Sequence, residues 1–218
     1  MITRAGEPPA LSRSIDAYVD TGSPALPDVN VNSSGVRFKL FGDRLDTAYF
    51  ARSGASLRVN AFEAVTALGA DEGYRRLDAI WTGAHSFGSH TVNATLAGGT
   101  DFGSGLPAYD AFLLGGPFRL SGYRINQFAG DTSGYAMIRY YNQILRLPSL
   151  LGSGVYVGVS AEAGRMNGLY TQGGISSGNL YSGSVYLGAE TFLGPAYLGV
   201  GFGGGGNTAA YFLLGVPW

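Results

Sequence analysis

The sequence predicts an all-β protein, an antiparallel transmembrane β-barrel to which this chain contributes eight or nine strands. Three features support this prediction: apolar and polar side chains alternate every two residues, connections alternate between short and long, and the composition is rich in glycine and poor in charge. The 218 residues include 36 Gly, 14 Tyr and 12 Phe, and 13% are charged, whereas about a quarter are charged in typical soluble domains. No stretch reaches the roughly 18 apolar residues of a membrane helix, so we expect strands to cross the bilayer.

The net charge and the amino-acid composition also exclude several classes of function. A net charge of −1 gives no electrostatic basis for binding nucleic acid. The absence of cysteine excludes disulfide bonds, thiolate nucleophiles and cysteine-based zinc sites. Residues 1–30 lack the basic start and the apolar run of a secretory signal peptide. An outer-membrane location would therefore imply an export signal upstream of Met1.

Residues 1–34 are predicted to form an irregular tail or linker, because prolines and small polar residues fill much of this segment. A short helix around Leu11–Val19 is an alternative for part of it. From residue 35 to residue 218 the alternating pattern predicts one outer-membrane β-barrel domain.

Two-residue alternation is clearest from Val155 to Gly164, where every second side chain is valine or alanine. Successive side chains of a strand point to opposite sides, so this segment has one apolar face and one face of polar, aromatic or small residues. A helix is a poor interpretation because glycine recurs too often. The other predicted strands, in chain order, are Val36–Phe41, Ala55–Val65, Tyr74–Phe87, Thr91–Leu96, Tyr135–Leu145, Val185–Glu190, Ala196–Gly203 and Asn207–Trp218.

The connections between these strands differ in length in a regular way. Phe87–Ser89, Pro148–Ser153 and Gly194–Pro195 are short, whereas Gly98–Ser133 and Arg165–Leu180 are long. Short turns at one end and long loops at the other are typical of outer-membrane barrels. Two connections expected at the long-loop end are nevertheless short, namely Gly69–Gly73 and Gly203–Asn207.

The polar face of the strands is expected to line a hydrated lumen, and the aliphatic face to contact lipid. The polar face carries charges of both signs, and its many glycines leave room beside large tyrosines. In a soluble barrel the valines and leucines would point inward instead, and the pattern alone leaves that alternative open. The charged residues assigned to the lumenal wall are Arg58, Arg139, Glu162 and Glu190.

Three ordered segments resemble the BamA/TamA superfamily, the bacterial surface antigen barrels. Leu113–Tyr123, which reads Leu-Leu-Gly-Gly-Pro-Phe-Arg-Leu-Ser-Gly-Tyr, is similar to the family's sixth extracellular loop. Asp43–Gly54 is similar to its Asp-x-x-Asp…Phe-Pro-x-x-Gly turn, with Ala51 in place of the proline, and Glu190–Gly199 to the segment before its last hairpin. The resemblance is closer still to the patatin-like outer-membrane phospholipases, the type Vd autotransporters, and covers residues 35–218.

The resemblance implies a sixteen-stranded barrel whose long loop folds into the lumen, with a patatin-like lipase attached upstream through a periplasmic domain. It implies that the loop faces Arg139, Glu162 and Glu190 on the wall. In the family an Arg usually precedes Gly-Tyr and pairs with acidic groups of the wall, but Ser121 stands there, and Arg119 has the wrong alternation to replace it. The loop-motif residues are Gly115, Gly116, Leu120, Ser121, Gly122 and Tyr123.

The last strand is similar to the signal by which the barrel-assembly machinery recognises barrel proteins. This signal would consist of Tyr211, Phe212 and Trp218. Expected partners are therefore outer-membrane lipid, the barrel-assembly machinery and an upstream passenger domain. The strand count leaves three arrangements open: a fragment of a sixteen-stranded barrel, a homodimer in which two copies complete one barrel, and eight strands that close alone.

We expect no enzyme activity, no cofactor and no metal site in this chain. Gly174–Gly178 matches the hydrolase motif G-x-S-x-G, but it lies in a loop between strands, without the required strand-to-helix turn. Gly201–Gly206 matches G-x-G-x-x-G, but no helix follows to bind phosphate. His85 and His90 are the only histidines, and neither has an acidic partner nearby in sequence.

The first functional hypothesis is a barrel that anchors, and helps to export or display, an attached passenger in the bacterial outer membrane. Two alternatives come from other classes: a pore or small-ligand-binding barrel, and a soluble β-barrel binding protein whose aliphatic face points inward. Stepwise conductance in planar bilayers would favour the pore, and solubility without detergent would favour the soluble barrel.

Overall fold

Antiparallel strands make up almost all of the regular structure. The structure, a computed structural model, describes residues 12–16, 30–147, 152–167, 178–191 and 193–215. Single turns of 3-10 helix occur in the connections, at Thr66–Leu68, Ala108–Asp110 and Gly204–Gly206. The strands are β1 (Ser12–Asp16), β2 (Asn30–Asp43), β3 (Ser53–Ala64), β4 (Arg75–Phe87), β5 (His90–Thr100), β6 (Phe112–Leu114), β7 (Phe128–Gly130), β8 (Thr132–Arg146), β9 (Gly152–Asn167), β10 (Asn179–Thr191), β11 (Gly194–Gly203) and β12 (Thr208–Leu214).

The main sheet is a meander, in which strands that follow one another along the chain pair antiparallel. It has ten strands in the order β1-β2-β3-β4-β5-β8-β9-β10-β11-β12, and β6 and β7 form a separate two-stranded sheet. The twist of successive strands curls such a sheet, so that it has a concave and a convex face. The prediction of an all-β, antiparallel fold is confirmed.

The prediction for the N-terminal segment is partly wrong. Ser12–Asp16 is a strand, not part of an irregular tail or of a helix around Leu11–Val19, and β2 already begins at Asn30. The physical reason is the ladder between these two strands, in which Ser12 pairs with Ser34 and Asp16 with Asn30. Pairing with a partner strand decides the conformation here, and local composition does not reveal the partner.

The two faces of the sheet differ as the alternation predicts. On the convex face aliphatic side chains are exposed, 46% for Val159 and 53% for Val185. On the concave face Tyr141 and Tyr186 are buried, at 0% and 2%, and a Cβ added to Gly158 would lie 2.4 Å from the Tyr186 side chain. The interior of the described residues is therefore aromatic, and the inward aliphatic core that a soluble barrel requires is not found in them.

Most connections are short at one end of the sheet, the short-turn end, and longer at the other, the long-loop end; the exceptions are residues 44–52 between β2 and β3 at the short-turn end and residues 204–207 between β11 and β12 at the long-loop end. Residues 88–89 join β4 to β5 at the short-turn end, and residues 101–131 join β5 to β8 at the long-loop end. The predicted turn at Pro148–Ser153 and the predicted loop at Arg165–Leu180 lie largely outside the described residues. Within the described ranges, no helical segment has the length and apolar character needed to span a membrane.

Candidate functional site

The long loop of residues 101–131 folds over the concave face of the sheet. Its middle forms the hairpin of β6 and β7. The segment Leu113–Tyr123, called the loop tip below, carries the motif singled out in the sequence. Leu120 and Ser121 at its centre are both 0% exposed, so the loop tip lies in the interior rather than in solvent.

Two glycines give the loop tip its tight turn. Gly115 and Gly116 have φ angles of 119° and 101°, in the left-handed region that favours glycine. A Cβ on Gly115 would lie 2.4 Å from the carbonyl oxygen of Arg124. The Gly115 N–H donates to the carbonyl oxygen of Arg119 at 2.8 Å and closes the turn.

A third glycine allows the loop tip to lie directly on the wall. A Cβ on Gly122 would be 2.0 Å from the backbone nitrogen of Gly203 in β11, and a Cβ on Gly201 would be 2.0 Å from the carbonyl oxygen of Ser121. The Gly122 N–H also donates to Ser182 Oγ on β10 at 2.7 Å. Loop tip and wall are thus in backbone-to-backbone contact.

Glu162 on β9 holds the loop tip by its carboxylate. The Ser121 N–H donates to Oε2 at 2.5 Å, and the Ser121 hydroxyl donates to Oε1 at 2.6 Å. The Ser160 hydroxyl also donates to Oε1, at 2.6 Å. Glu162 is 3% exposed, and the salt bridges among the described residues do not include it. Three hydrogen bonds, rather than a cation, therefore compensate the burial of this carboxylate.

Arg139 on β8 is a cation beneath the loop tip. Its guanidinium carbon lies 5.0 Å from the ring centroid of Phe118 and 5.9 Å from that of Tyr141. Its Nη2 donates to Asn93 Oδ1 at 3.5 Å, whereas its Nε is buried without a partner among the described residues. Aromatic faces therefore supply much of the compensation for this charge. Arg139 and Glu162 both contact the loop tip, but through different interactions.

The outer part of the loop is attached to the opposite side of the concave face, beside β4. Asp110 accepts a hydrogen bond from the Tyr74 hydroxyl at 2.9 Å and forms an ion pair with Arg76. Burial raises the pKa of Tyr74, so its hydroxyl keeps the proton that it donates. The Arg76 guanidinium also lies 4.5 Å from the ring centroid of Phe112. The loop thus spans the concave face from β4 to β11, an extent that no local sequence pattern indicates.

The other two charged residues assigned to the lumenal wall lie away from the loop tip. Glu190 accepts a hydrogen bond from the Ser153 hydroxyl near the short-turn end. It follows Ser182, which contacts the loop tip, on the same strand, roughly 26 Å further along at about 3.3 Å per residue. Arg58 is exposed on β3, with its guanidinium 5.6 Å from the ring centroid of Phe41. Alternation identifies the face of a residue but not its height along the barrel wall.

The connection between β2 and β3 fills the concave face from the short-turn end. Its Phe50 is 1% exposed and stacks on Tyr156 and Tyr197 at centroid distances of 4.2 Å and 5.0 Å. The Tyr141 hydroxyl donates to the carbonyl oxygen of Ala51. The sequence motif indicates a turn here but does not indicate that the segment enters the interior. The adjacent aromatic residues Tyr49 and Phe50 in a connection between strands are the signal that could have revealed it.

The residues of the predicted assembly signal do not form one site. Tyr211 points to the concave face, where its ring lies 5.9 Å from Phe118. Phe212 points to the convex face and is 68% exposed. Trp218 lies outside the described residues. The signal therefore stays a prediction from the sequence.

The remaining motifs lie partly within the described residues. His90 Nδ1 lies 2.6 Å from the Tyr140 hydroxyl, and in the described part of the chain no group of three or more His, Cys, Asp or Glu side chains could hold a metal ion. Gly204–Gly206 is a single 3-10 turn followed by a strand, as expected for a hairpin. Most of Gly174–Gly178 lies outside the described residues.

Comparisons with known proteins agree with this geometry. The profile of the Omp85 superfamily domain matches residues 14–163. The crystal structure of BamA from Haemophilus ducreyi lacking POTRA domains 1-3 is similar in fold, with a TM-score of 0.64 at 14% sequence identity. The match covers 89% of this chain and 44% of that one, so the chain spans less than half the length of that structure. No curated protein matches significantly.

Replacing Gly122 by alanine is expected to weaken the seating of the loop tip, because its Cβ would meet the β11 backbone at 2.0 Å. Overpacking of this kind lowers the free energy of unfolding by about 3 kcal/mol, and Gly122→Asp, which also buries a charge, by more. Heat-modifiable migration and thermal unfolding in detergent measure the effect. Gly42→Ala is the control, since a Cβ at Gly42 meets nothing within 4 Å. Equal stability of the two variants would contradict the seating described above.

Replacing Phe50 by alanine is expected to lower the free energy of unfolding by about 3–5 kcal/mol, because the ring leaves a cavity between tyrosines. Phe38→Ala is the matched control, since Phe38 is 62% exposed, and it should cost about 0.5 kcal/mol or less. Thermal unfolding of both variants in the same detergent is the measurement. A similar small loss in both would show that Phe50 does not pack in the interior.

Proposed function

The chain belongs to the Omp85 superfamily, and from this membership we propose that it forms the wall and the plugging loop of an outer-membrane barrel that anchors, and helps to export or display, an attached passenger. The observation that carries the proposal is the loop tip on the concave face, with Ser121 hydrogen-bonded to Glu162. A lumen closed by a movable loop suits a role in secretion better than a permanently open pore.

The convex face supports a location in the outer membrane. Large apolar side chains there are exposed on successive strands, as for Leu96, Ile138 and Leu198. Outside a membrane such a surface would be a severe aggregation hazard, whereas hydrocarbon tails solvate it. Outer-membrane lipid and the barrel-assembly machinery are therefore the partners that the proposal requires.

The passenger belongs to the proposal as well. The loop tip, with Leu-Gly-Gly and Leu-Ser-Gly-Tyr, resembles the loop of the patatin-like phospholipases, so we propose a lipase of that kind as the passenger. Such a lipase would supply the chemistry, and this chain the anchor. Strands outside the present sequence, or a second copy of the chain, would complete the barrel.

Opening of the lumen would require the loop tip to leave the wall. Arg139 pairs in register with Ser160, which places it diagonally across from Glu162 on the neighbouring strand. In the closed state the Phe118 ring lies against the Arg139 guanidinium, and the Ser121 hydroxyl donates a hydrogen bond to Glu162. Once the loop tip leaves, these opposite charges are within reach of each other, since diagonal neighbours are about 7–8 Å apart. Their pairing would stabilise the open state.

Replacing Glu162 by glutamine is expected to release the loop tip more often. The amide is a weaker acceptor than the carboxylate, so the contacts that hold the loop tip in the closed state weaken, whereas loss of the open-state pairing with Arg139 shortens each open event. In planar bilayers the native protein should conduct little, and the variant should show frequent conducting events. Glu63→Gln is the control, since Glu63 is exposed and pairs with Arg75. Large, stable conductance of the native protein would favour the pore alternative instead.

Fractionation of the native cells tests the location. The protein is expected in the outer-membrane fraction, extractable only with detergent and migrating in a heat-modifiable way, because its apolar convex face needs a lipid or detergent solvent. A protein that stays soluble without detergent would contradict the anchoring role.

A further inference from the structure

The convex face carries a groove at the long-loop end of β8, β9 and β10. The groove is open to the surroundings and has a volume of about 310 Å³. Strand register explains its shape, because Ala136, Ala163 and Tyr181 lie side by side in one row and Gly134, Arg165 and Asn179 in the next. Small side chains on β8 and β9 form its floor, and the Tyr181 side chain, 60% exposed, forms one wall.

Arg165 gives this groove a positive charge at its long-loop end. Arg165 is exposed and forms no ion pair or hydrogen bond within the described part of the chain. Arg75 is also exposed at the long-loop end, but its guanidinium pairs with Glu63 at 3.0 Å. An unpaired guanidinium beside an amide donor, Asn179, is a good site for an anionic oxygen group.

A second groove on the convex face provides an internal contrast. It lies between β9, β10 and β11, nearer the short-turn end, and has a volume of about 150 Å³. Apolar residues and glycine line it, among them Val155, Leu187 and Phe212. An acyl chain could lie in either groove, but only the first has a cation at its end. The first groove therefore matches an amphiphile with an anionic head and an apolar tail.

Building on the membrane location proposed above, we propose that the first groove binds a phosphate-bearing lipid of the outer leaflet. The phosphate lies against Arg165 and Asn179, and an acyl chain runs along β9 over Ala163 and Ala161 toward the centre of the bilayer. Long loops face the cell exterior in outer-membrane barrels, which places Arg165 at the level of the outer head groups. The lipid is recognised by its charge and by the width of the groove.

Native mass spectrometry of the full protein in detergent tests this inference, with lipid A as the probe and uncharged diacylglycerol as the comparison. Native protein should retain lipid A, and Arg165→Ala should weaken that binding by about tenfold, the effect of losing one charge-assisted contact. Arg75→Ala is the matched control and should bind like the native protein. Ala163→Trp fills the groove without changing the charge and should also reduce binding.

The outcomes separate this inference from the proposed function. Equal lipid A binding by the native protein and by Arg165→Ala, or equal retention of diacylglycerol, would overturn the lipid site while leaving the outer-membrane barrel intact. Heat-modifiable migration of each variant shows whether it is folded. If Arg165→Ala does not fold, Ala163→Trp decides the question, and unchanged binding in that variant refutes the site. Solubility without detergent would instead overturn the proposed function.

Discussion

The arrangement of the concave face depends on one buried carboxylate. Glu162 accepts hydrogen bonds from Ser121 and Ser160, and no cation pairs with it among the described residues. A carboxylate in such a place is stable only while its donors stay in position, because an unsatisfied buried charge is costly. The loop tip supplies two of the three donors. The loop and the carboxylate therefore stabilise each other, and the tyrosine side chains around them are buried.

Ser121 shows how far the sequence could take the prediction. A two-residue period fixes the side of a strand, so alternation groups Glu162 with the polar face of β9, and in the structure Glu162 is buried. The family resemblance implies an arginine where Ser121 stands, and a serine cannot form the ion pair that this arginine would make. The short side chain reaches the carboxylate because Gly122 and Gly201 bring loop and wall into backbone contact. Closeness of that kind depends on residues far apart in the chain, which no local pattern reveals. The same limit explains why Glu190 was placed beside the loop and why β1 was missed.

Aromatic rings connect the two ends of the interior. Tyr197 lies 5.0 Å from Phe50 of the short-turn end and 5.0 Å from Phe118 of the loop tip. Contacts of this geometry favour fixed relative positions, because offset and edge-to-face pairs have preferred orientations. A displacement of the loop tip thus removes one of the rings that position Tyr197, and with it part of the support of Phe50. The loop tip and the connection between β2 and β3 therefore pack through Tyr197 as one unit rather than as two independent loops.

The backbone of the loop tip has a consequence for the order of events during biogenesis. Phe118 and Leu120 adopt φ angles of 57° and 79°, which side chains other than glycine rarely accept. These conformations are compensated by contacts of Leu120 with Gly164 of β9 and of Phe118 with Tyr186 of β10 and Tyr197 of β11, and all three strands follow the loop in the chain. The loop tip therefore cannot reach its final shape until the C-terminal hairpins have joined the sheet. A sheet that still lacks these strands therefore leaves its concave face uncovered.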